Sequence, residues 1–267
     1  PIFLLLTRLL EAIPPSAHVV LLGDRHQLAP VQAGSVFSEI CSAPALADDL
    51  SVLEYNFRSR GKTGIEALAR AINKNDEQIL EQILTGNTFP DIVFDDVSRM
   101  HHHLLNGYTP FATEPSIEQA LDRMDDFRVL CAHHSGRYGT LQINHVCEKV
   151  LRSNVKFDIK SPYLNQIVMV TANDYKKSLF NGDTGVLSHD SEKTRVYIKN
   201  QENHIRRYRV SDLPGYETAF AITIHKSQGS EFKTVLIPIP DRVSPVMTRQ
   251  LLYTGVTRAK EKVIITG

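Results

Sequence analysis

The sequence predicts an α/β protein whose parallel layer is interrupted by a run of antiparallel strands. Three observations point there. Strand-like runs end in polar turns at HVVLL (18–22), FRVLCA (127–132) and TVLIPI (234–239), the first a continuous apolar run of the kind found in a buried parallel strand. Stretches with apolar residues at helical spacing lie between them. From Gln166 to Asp212, by contrast, β-branched runs (QIVMVT, GVLS, TRVYIK, RRYRV) recur roughly every ten residues, with polar turns such as Asn181-Gly182-Asp183 between them. That spacing suits a small antiparallel barrel or meander.

The elements follow in order. Residues 2–13 read as a helix stopped by Pro14-Pro15, His18–Leu22 as a buried strand ending at Gly23-Asp24, and Gly34–Cys41 as the start of a second helix. Ser51–Tyr55 reads as the next strand, followed by the polar turn NFRSRGKTG. Helical spacing runs from Ile65 to Leu84, with a break expected at Asn73–Asp76. Residues 86–116, including His101-His102-His103, show little periodicity and are expected to form a loop or mobile insertion. Phe127–Ala132 reads as a strand and Thr140–Arg152 as a helix. After Pro214-Gly215 the alternation resumes with strand Phe220–Ile224, strand Thr234–Ile239, helix Pro245–Val256 and strand Lys262–Thr266. The antiparallel stretch is therefore expected as an insertion in an α/β domain.

Composition narrows the function classes. The 267 residues carry 30 Lys+Arg against 30 Asp+Glu and are 42% hydrophobic, which excludes disordered, collagenous and coiled-coil chains. Cys41, Cys131 and Cys147 form no C-x-x-C pair and cannot all pair within the chain, so a reducing, cytoplasmic setting is expected. The apolar start PIFLLLTRLL is broken by Arg8 and Glu11, far short of the ~20 residues of a membrane span. It also lacks the basic leader and cleavage site of a signal peptide. A beginning at Pro1, partway into a helix, suggests a piece of something longer. Zero net charge conceals an asymmetry: residues 151–267 hold 18 basic and 11 acidic groups, a balance of +7. A polyanion is to be sought there, a solvated basic face being the alternative.

A phosphate-cradling P-loop, G-x-x-x-x-G-K-[ST], is missing: the one candidate, Gly61-Lys62-Thr63, has Asn56 where the first glycine belongs. No apolar strand ends in Asp-Glu. What remains are polar clusters at strand ends, where open α/β sheets place their ligands. GDRHQL puts Asp24, Arg25 and Gln27 after the first strand, and NFRS puts Arg58 after the second. AITIHKSQGSEF runs from a strand into a loop denser in hydrogen-bonding groups than a turn requires. YTGVTRAK places Thr257 and Arg258 near a helix C-terminus, where a cation also suits the helix dipole. The consecutive His101–His103 have no metal-ligand spacing, and His133-His134 reads as a loop turn. No cysteine or acidic cluster suggests a nucleophilic enzyme or a nuclease.

Taken in this order, GDRHQL, NFRS, TIHKSQGSEF and YTGVTRAK resemble motifs III, IV, V and VI of superfamily 1 helicases. ETAFAITIHKSQGSEF followed by SPVMTRQLLYTGVTRAK, with GDRHQLAPVQAGSVFSEIC and LFNGDTGVL, resembles the RecD type, the alpha chain of exodeoxyribonuclease V. The resemblance spans residues 23–265 and is thinnest over 60–126. It implies RecA-like P-loop NTPase lobes, the first truncated and the second complete, with a small SH3-like barrel in the second. The divisions are then 1–54 for the end of lobe one, 55–159 for the start of lobe two, 160–213 for the barrel and 214–267 for the rest of lobe two. It also accounts for the missing P-loop, which in this family precedes motif III.

Residue roles follow from the same resemblance. Gln27 is expected near the γ-phosphate, with Asp24 ordering its loop. Arg58 and Arg258 are expected to approach the phosphates. Gly229 and Glu231 are expected beside the nucleotide, and Thr223, His225, Lys226 and Ser227 to face single-stranded DNA. The implied cofactor is ATP with Mg²⁺, and no resident metal is expected. The implied partners are single-stranded DNA and further exodeoxyribonuclease V subunits. The activity the resemblance implies is ATP-dependent 5′-to-3′ DNA unwinding for recombination and double-strand-break repair. Alternatives are a stand-alone RecD-like or other superfamily 1 helicase, and a non-catalytic nucleic-acid-binding or scaffold module.

Overall fold

The computed structural model describes residues 2–28, 36–53, 63–86, 88–155, 165–190, 193–200, 202–242 and 244–267. It begins with helices α1 (Ile2–Ala12) and α2 (Val36–Ser42). The periodic stretch after them divides where the sequence suggests. Helix α3 (Thr63–Lys74) ends, Asn75 takes a φ of 54°, and Asp76 caps α4 (Glu77–Thr85) by accepting from the Ile79 amide at 3.1 Å. Asn is among the few side chains that tolerate that left-handed conformation, and Asp is a favoured N-cap.

Segment 86–116 is not a loop. It holds β1 (Ile92–Asp95) and α5 (Met100–Ala112). Met100, Leu104, Tyr108 and Phe111 recur at helical spacing and form one buried stripe of α5. Burial of side chains of this size stabilises by roughly 1.5–3 kcal/mol each. Gly107 lets the helix approach closely, since a Cβ there would stand 2.5 Å from the Phe127 ring. Helix α6 (Ile117–Arg123), β2 (Phe127–Cys131) and α7 (Thr140–Asn154) follow.

The antiparallel run comprises β3 (Gln166–Val170), β4 (Thr184–Asp190), β5 (Lys193–Lys199), β6 (Ile205–Arg209) and β7 (Tyr216–Thr218). They form one antiparallel sheet in the order β6-β5-β4-β3-β7. This is a five-stranded sheet with β6 and β7 at its two edges, and no β6–β7 ladder closes it among the described residues. Its small core of Val168, Val170, Leu179, Val196 and Ile198 is separate from the main one. Ile167, Met169 and Val186 face the main core and dock the sheet onto it.

The chain ends with β8 (Ala221–Thr223), β9 (Phe232–Pro238), α8 (Arg249–Val256) and β10 (Ala259–Thr266). Every ladder of the main sheet is parallel, in the order β1-β10-β9-β2-β8. Helix α3 packs on α8 and α5 on α7. Strand β2 is buried along its whole length, as expected between two parallel neighbours. Arg128 within it is 1% exposed yet well held, donating to Ala219 O at 2.7 Å and Met124 O at 3.1 Å with its guanidinium over the Phe232 ring. The Tyr108 hydroxyl accepts from the Val129 amide at 3.2 Å and donates to Phe220 O, tying α5 to the sheet.

Two expected strands do not form among the described residues. His18–Leu22 and Ser51–Leu53 pair with nothing among the described residues, and Val20, Leu22 and Leu53 are 77%, 86% and 89% exposed. An apolar run becomes a strand only when another strand takes its backbone groups. Glu54 and Tyr55, the start of the following turn, and Gly61-Lys62 lie outside the described residues.

Candidate functional site

Three separated segments meet at the C-terminal end of α8. Arg258 follows the Thr257 C-cap and is 3% exposed. Its Nε donates to Thr254 O at 3.3 Å, Nη1 to Ser230 O at 3.3 Å and Nη2 to the Gln27 Oε1 at 3.0 Å. Gln27 and Arg258 lie 231 residues apart in sequence. The Gln27 amide is oriented at its other end, where Nε2 donates to Asp24 Oδ2 at 3.0 Å. Asp24 also accepts from the His26 amide at 2.9 Å and from the Tyr253 hydroxyl at 3.2 Å.

The segment 24–28 is held against α8 by its own backbone as well. The Leu28 amide donates to Thr254 Oγ1 at 2.9 Å, and Leu28 O accepts from Gln228 Nε2 at 2.8 Å. The Thr254 hydroxyl is buried and gives its own proton to Gln250 O at 2.7 Å, which fixes a lone pair toward Leu28. Tyr253, Thr254 and Gln228 were not singled out in the sequence. Their signal was faint: a Thr on a helix that bonds back to residue i−4, or a Gln in a loop, has many ordinary roles.

The turn after β8 is built from local bonds. Ser227, Gln228 and Ser230 donate their amides to Ile224 O, His225 O and Ser227 O at 3.2, 3.2 and 3.0 Å. Thr223 Oγ1 accepts from the Lys226 amide at 3.3 Å, and Gly229 takes a φ of +85° with open space where a Cβ would stand. His225 is half-buried, whereas Lys226 is exposed and its Nζ sits 2.6 Å from Glu217 Oε1 on β7. Ser227 is fully buried, its hydroxyl donating to Ile224 O at 2.7 Å. Glu231 pairs with Lys260 at 3.0 Å. Thus Asp24, Gln27 and Arg258 converge, Gly229 and Glu231 lie on the 225–231 turn that Ser230 joins to Arg258, His225 and Lys226 occupy the same turn's other end, and Thr223 ends the strand that leads into it. Arg58 lies outside the described residues.

Other clusters lead elsewhere. His103 bonds Asp95 at 3.0 Å and His102 bonds Asn106 at 2.9 Å, and among the described residues no three His, Cys, Asp or Glu are placed to hold a metal ion. Burial pushes the Cys131 thiol up to about 12 and Cys147 well above its ordinary value, so neither is a thiolate at neutral pH. No helix among the described residues is long and apolar enough to cross a membrane.

The comparisons first define a class. Residues 218–266 match the UvrD-like helicase C-terminal domain, and residues 4–88 match an AAA domain. Across 98% of its length the chain is 34% identical to the RecBCD enzyme subunit RecD of Mycobacterium tuberculosis and 28% identical to that of Haemophilus influenzae, covering 47% and 48% of those proteins. It is 25% identical to the ATP-dependent RecD2 DNA helicase of Deinococcus radiodurans, again over 98% of the chain and 34% of that protein. Over nearly its whole length the chain is thus similar to RecD-type helicase subunits. It spans about half the length of the curated RecD subunits it matches. Among solved structures it is similar to a Pif1 helicase from Candida albicans, with 14% identity, a TM-score of 0.49 and coverage of 92% of this chain and 62% of that one.

Proposed function

We propose that this chain is the C-terminal part of an ATP-dependent 5′-to-3′ DNA helicase, the RecD-type subunit of an exodeoxyribonuclease V complex, acting in the cytoplasm in recombination and double-strand-break repair. The observation that carries the reading is the bond between Gln27 and Arg258, two residues distant in sequence. In this reading residues 1–54 end a first RecA-like lobe. Residues 55–159 and 214–267 form the second, and 160–213 are an inserted SH3-like barrel.

The residues present suit a nucleotide's phosphate end. A guanidinium is the side chain best matched to phosphate, and a phosphate oxygen is a stronger acceptor than the Gln27 amide that Arg258 now engages. Gly229 leaves the backbone open to close approach. ATP with Mg²⁺ would supply the scissile phosphoanhydride, gripped mainly by a P-loop outside residues 1–267. Arg258, with Arg58, stabilises the charge that develops on the transferred phosphoryl group. Gln27, held by Asp24, senses the terminal phosphate, and Glu231 lies toward the ribose. Thr223, His225 and Lys226 contact single-stranded DNA, while Ser227, turned inward, shapes the turn that presents them.

In the full-length protein, Arg258→Ala is expected to lower the ATP turnover number by about 10³ to 10⁵ while nucleotide affinity changes far less. Steady-state kinetics beside direct nucleotide binding checks this, with 5′-tailed and 3′-tailed duplexes reporting polarity. Equal losses of affinity and rate would make Arg258 a ground-state or structural residue.

A further inference from the structure

We propose that Gln228 is a positioning residue that carries phosphate occupancy at Lys226 to the Gln27–Arg258 pair, and so links DNA engagement to ATP turnover. The inference rests on the helicase reading above and names a coupling element within it. Lys226 and Gln228 belong to one turn, and its internal bonds make 225–230 move as a unit: Gln228 N to His225 O, Ser227 N to Ile224 O and Ser230 N to Ser227 O. The turn is rooted in the sheet, since the Ile224 amide donates to Cys131 O at 2.9 Å.

From that unit two contacts reach the pair. The Gln228 side chain grips Leu28 O at 2.8 Å, one residue beyond Gln27. On the other side Ser230 O accepts from Arg258 Nη1 at 3.3 Å. With the Gln27–Arg258 bond these contacts close a ring: Gln27, Leu28, Gln228, Ser230, Arg258 and back to Gln27. At the outer end of the turn, Lys226 is engaged by Glu217 of β7 at 2.6 Å. A DNA phosphate competes with that carboxylate for the same ammonium, and exchanging one for the other shifts the turn relative to β7. Gln228 is the side chain through which such a shift reaches the Gln27 segment, because the Thr254 bond to the Leu28 amide comes from α8 and not from this turn. Gln228 itself is exposed and holds no part of the core, so its replacement leaves the fold in place.

The test uses the full-length protein with its partner subunits, comparing Gln228→Ala and Gln228→Glu. The Glu variant keeps the side chain's size but removes the N–H donor that Leu28 O requires. In both variants, affinity for an oligothymidylate without nucleotide is expected to stay within about twofold, and turnover with DNA is read as a ratio to each variant's own turnover without it, so that a change common to both cancels. Stimulation of turnover by the oligonucleotide is expected to fall about tenfold, the factor supported by one hydrogen bond of ordinary strength. A stimulation ratio unchanged in either variant overturns the coupling. Matching losses of DNA affinity and stimulation would also overturn it, making Gln228 a DNA contact. A wild-type protein whose turnover ignores DNA would instead sink the helicase reading itself.

Discussion

Lys226 and Ser227 are neighbours in a motif that treats them alike, and the fold separates them. The lysine reaches outward to Glu217, whereas the serine hydroxyl is consumed by Ile224 O. A strip of sequence conveys which chemistries are present but not which way each side chain turns, because a three-residue turn places adjacent side chains on different sides. Gln27 and Arg258 were legible through their motifs, while Tyr253, Thr254 and Gln228, which fix their geometry, became visible only through long-range contacts. For Lys226 the residue-scale consequence is quantitative. In the full-length protein Lys226→Ala is expected to weaken single-stranded DNA binding about equally for unrelated sequences. It should also reduce the log-affinity against log-salt slope by roughly 0.7, the value for one lost phosphate contact on a single strand. Titrations at several salt concentrations with two oligonucleotides check this, and an unchanged slope leaves Lys226 a solvated partner of Glu217.

At the scale of elements, the helices and antiparallel strands were the legible part, because their periods are set locally. Strand β1 and helix α5 were missed: IVFD is only four residues long, and Gly107 and Pro110 disguise the stripe of Met100, Leu104, Tyr108 and Phe111. The opposite error at His18–Leu22 arose because strand formation depends on a partner that sequence patterning does not supply. The junction of β1 and α5 carries a pH dependence. Burial raises the Asp95 carboxyl, but the His103 hydrogen bond, the Arg99 charge and the Asp96 amide together hold it below the ordinary 3.8. A depressed carboxyl contributes stability that is full above its unfolded value and lost as pH falls through the folded one. The stability gap between the wild type and Asp95→Asn is therefore expected to be constant near neutrality and to close only as pH drops below 3.8. Denaturant midpoints measured at descending pH check it. A gap that stays constant down through 3.8 and below would show that the Asp95 carboxylate adds no net stability at this junction.

The whole molecule divides into a part that carries the sheets and a part without a strand ladder among the described residues. Residues 63–267 hold the parallel sheet, its helix pairs and the docked antiparallel sheet around a continuous core. The described part of residues 2–53 has helices but no ladder, and its apolar side chains are largely exposed. Of the proposed phosphate-directed groups, Arg258 stands on the sheet-bearing part and Gln27 on the other, while no P-loop pattern occurs anywhere in the sequence. In phosphoryl transfer the phosphates and their metal are cradled by P-loop amides and its lysine, and an arginine adds rate only to a nucleotide already held. The 267-residue chain by itself is therefore expected to show no ATP turnover, with or without single-stranded DNA, while still binding single strands through its basic C-terminal region in a salt-sensitive way. Rigorously purified chain, assayed for phosphate release alongside fluorescence anisotropy of a labelled oligonucleotide, tests both halves. Phosphate release that rises with DNA and vanishes in Arg258→Ala would mean that residues 1–267 grip the nucleotide by means other than a P-loop, and the division of labour proposed here would have to be abandoned.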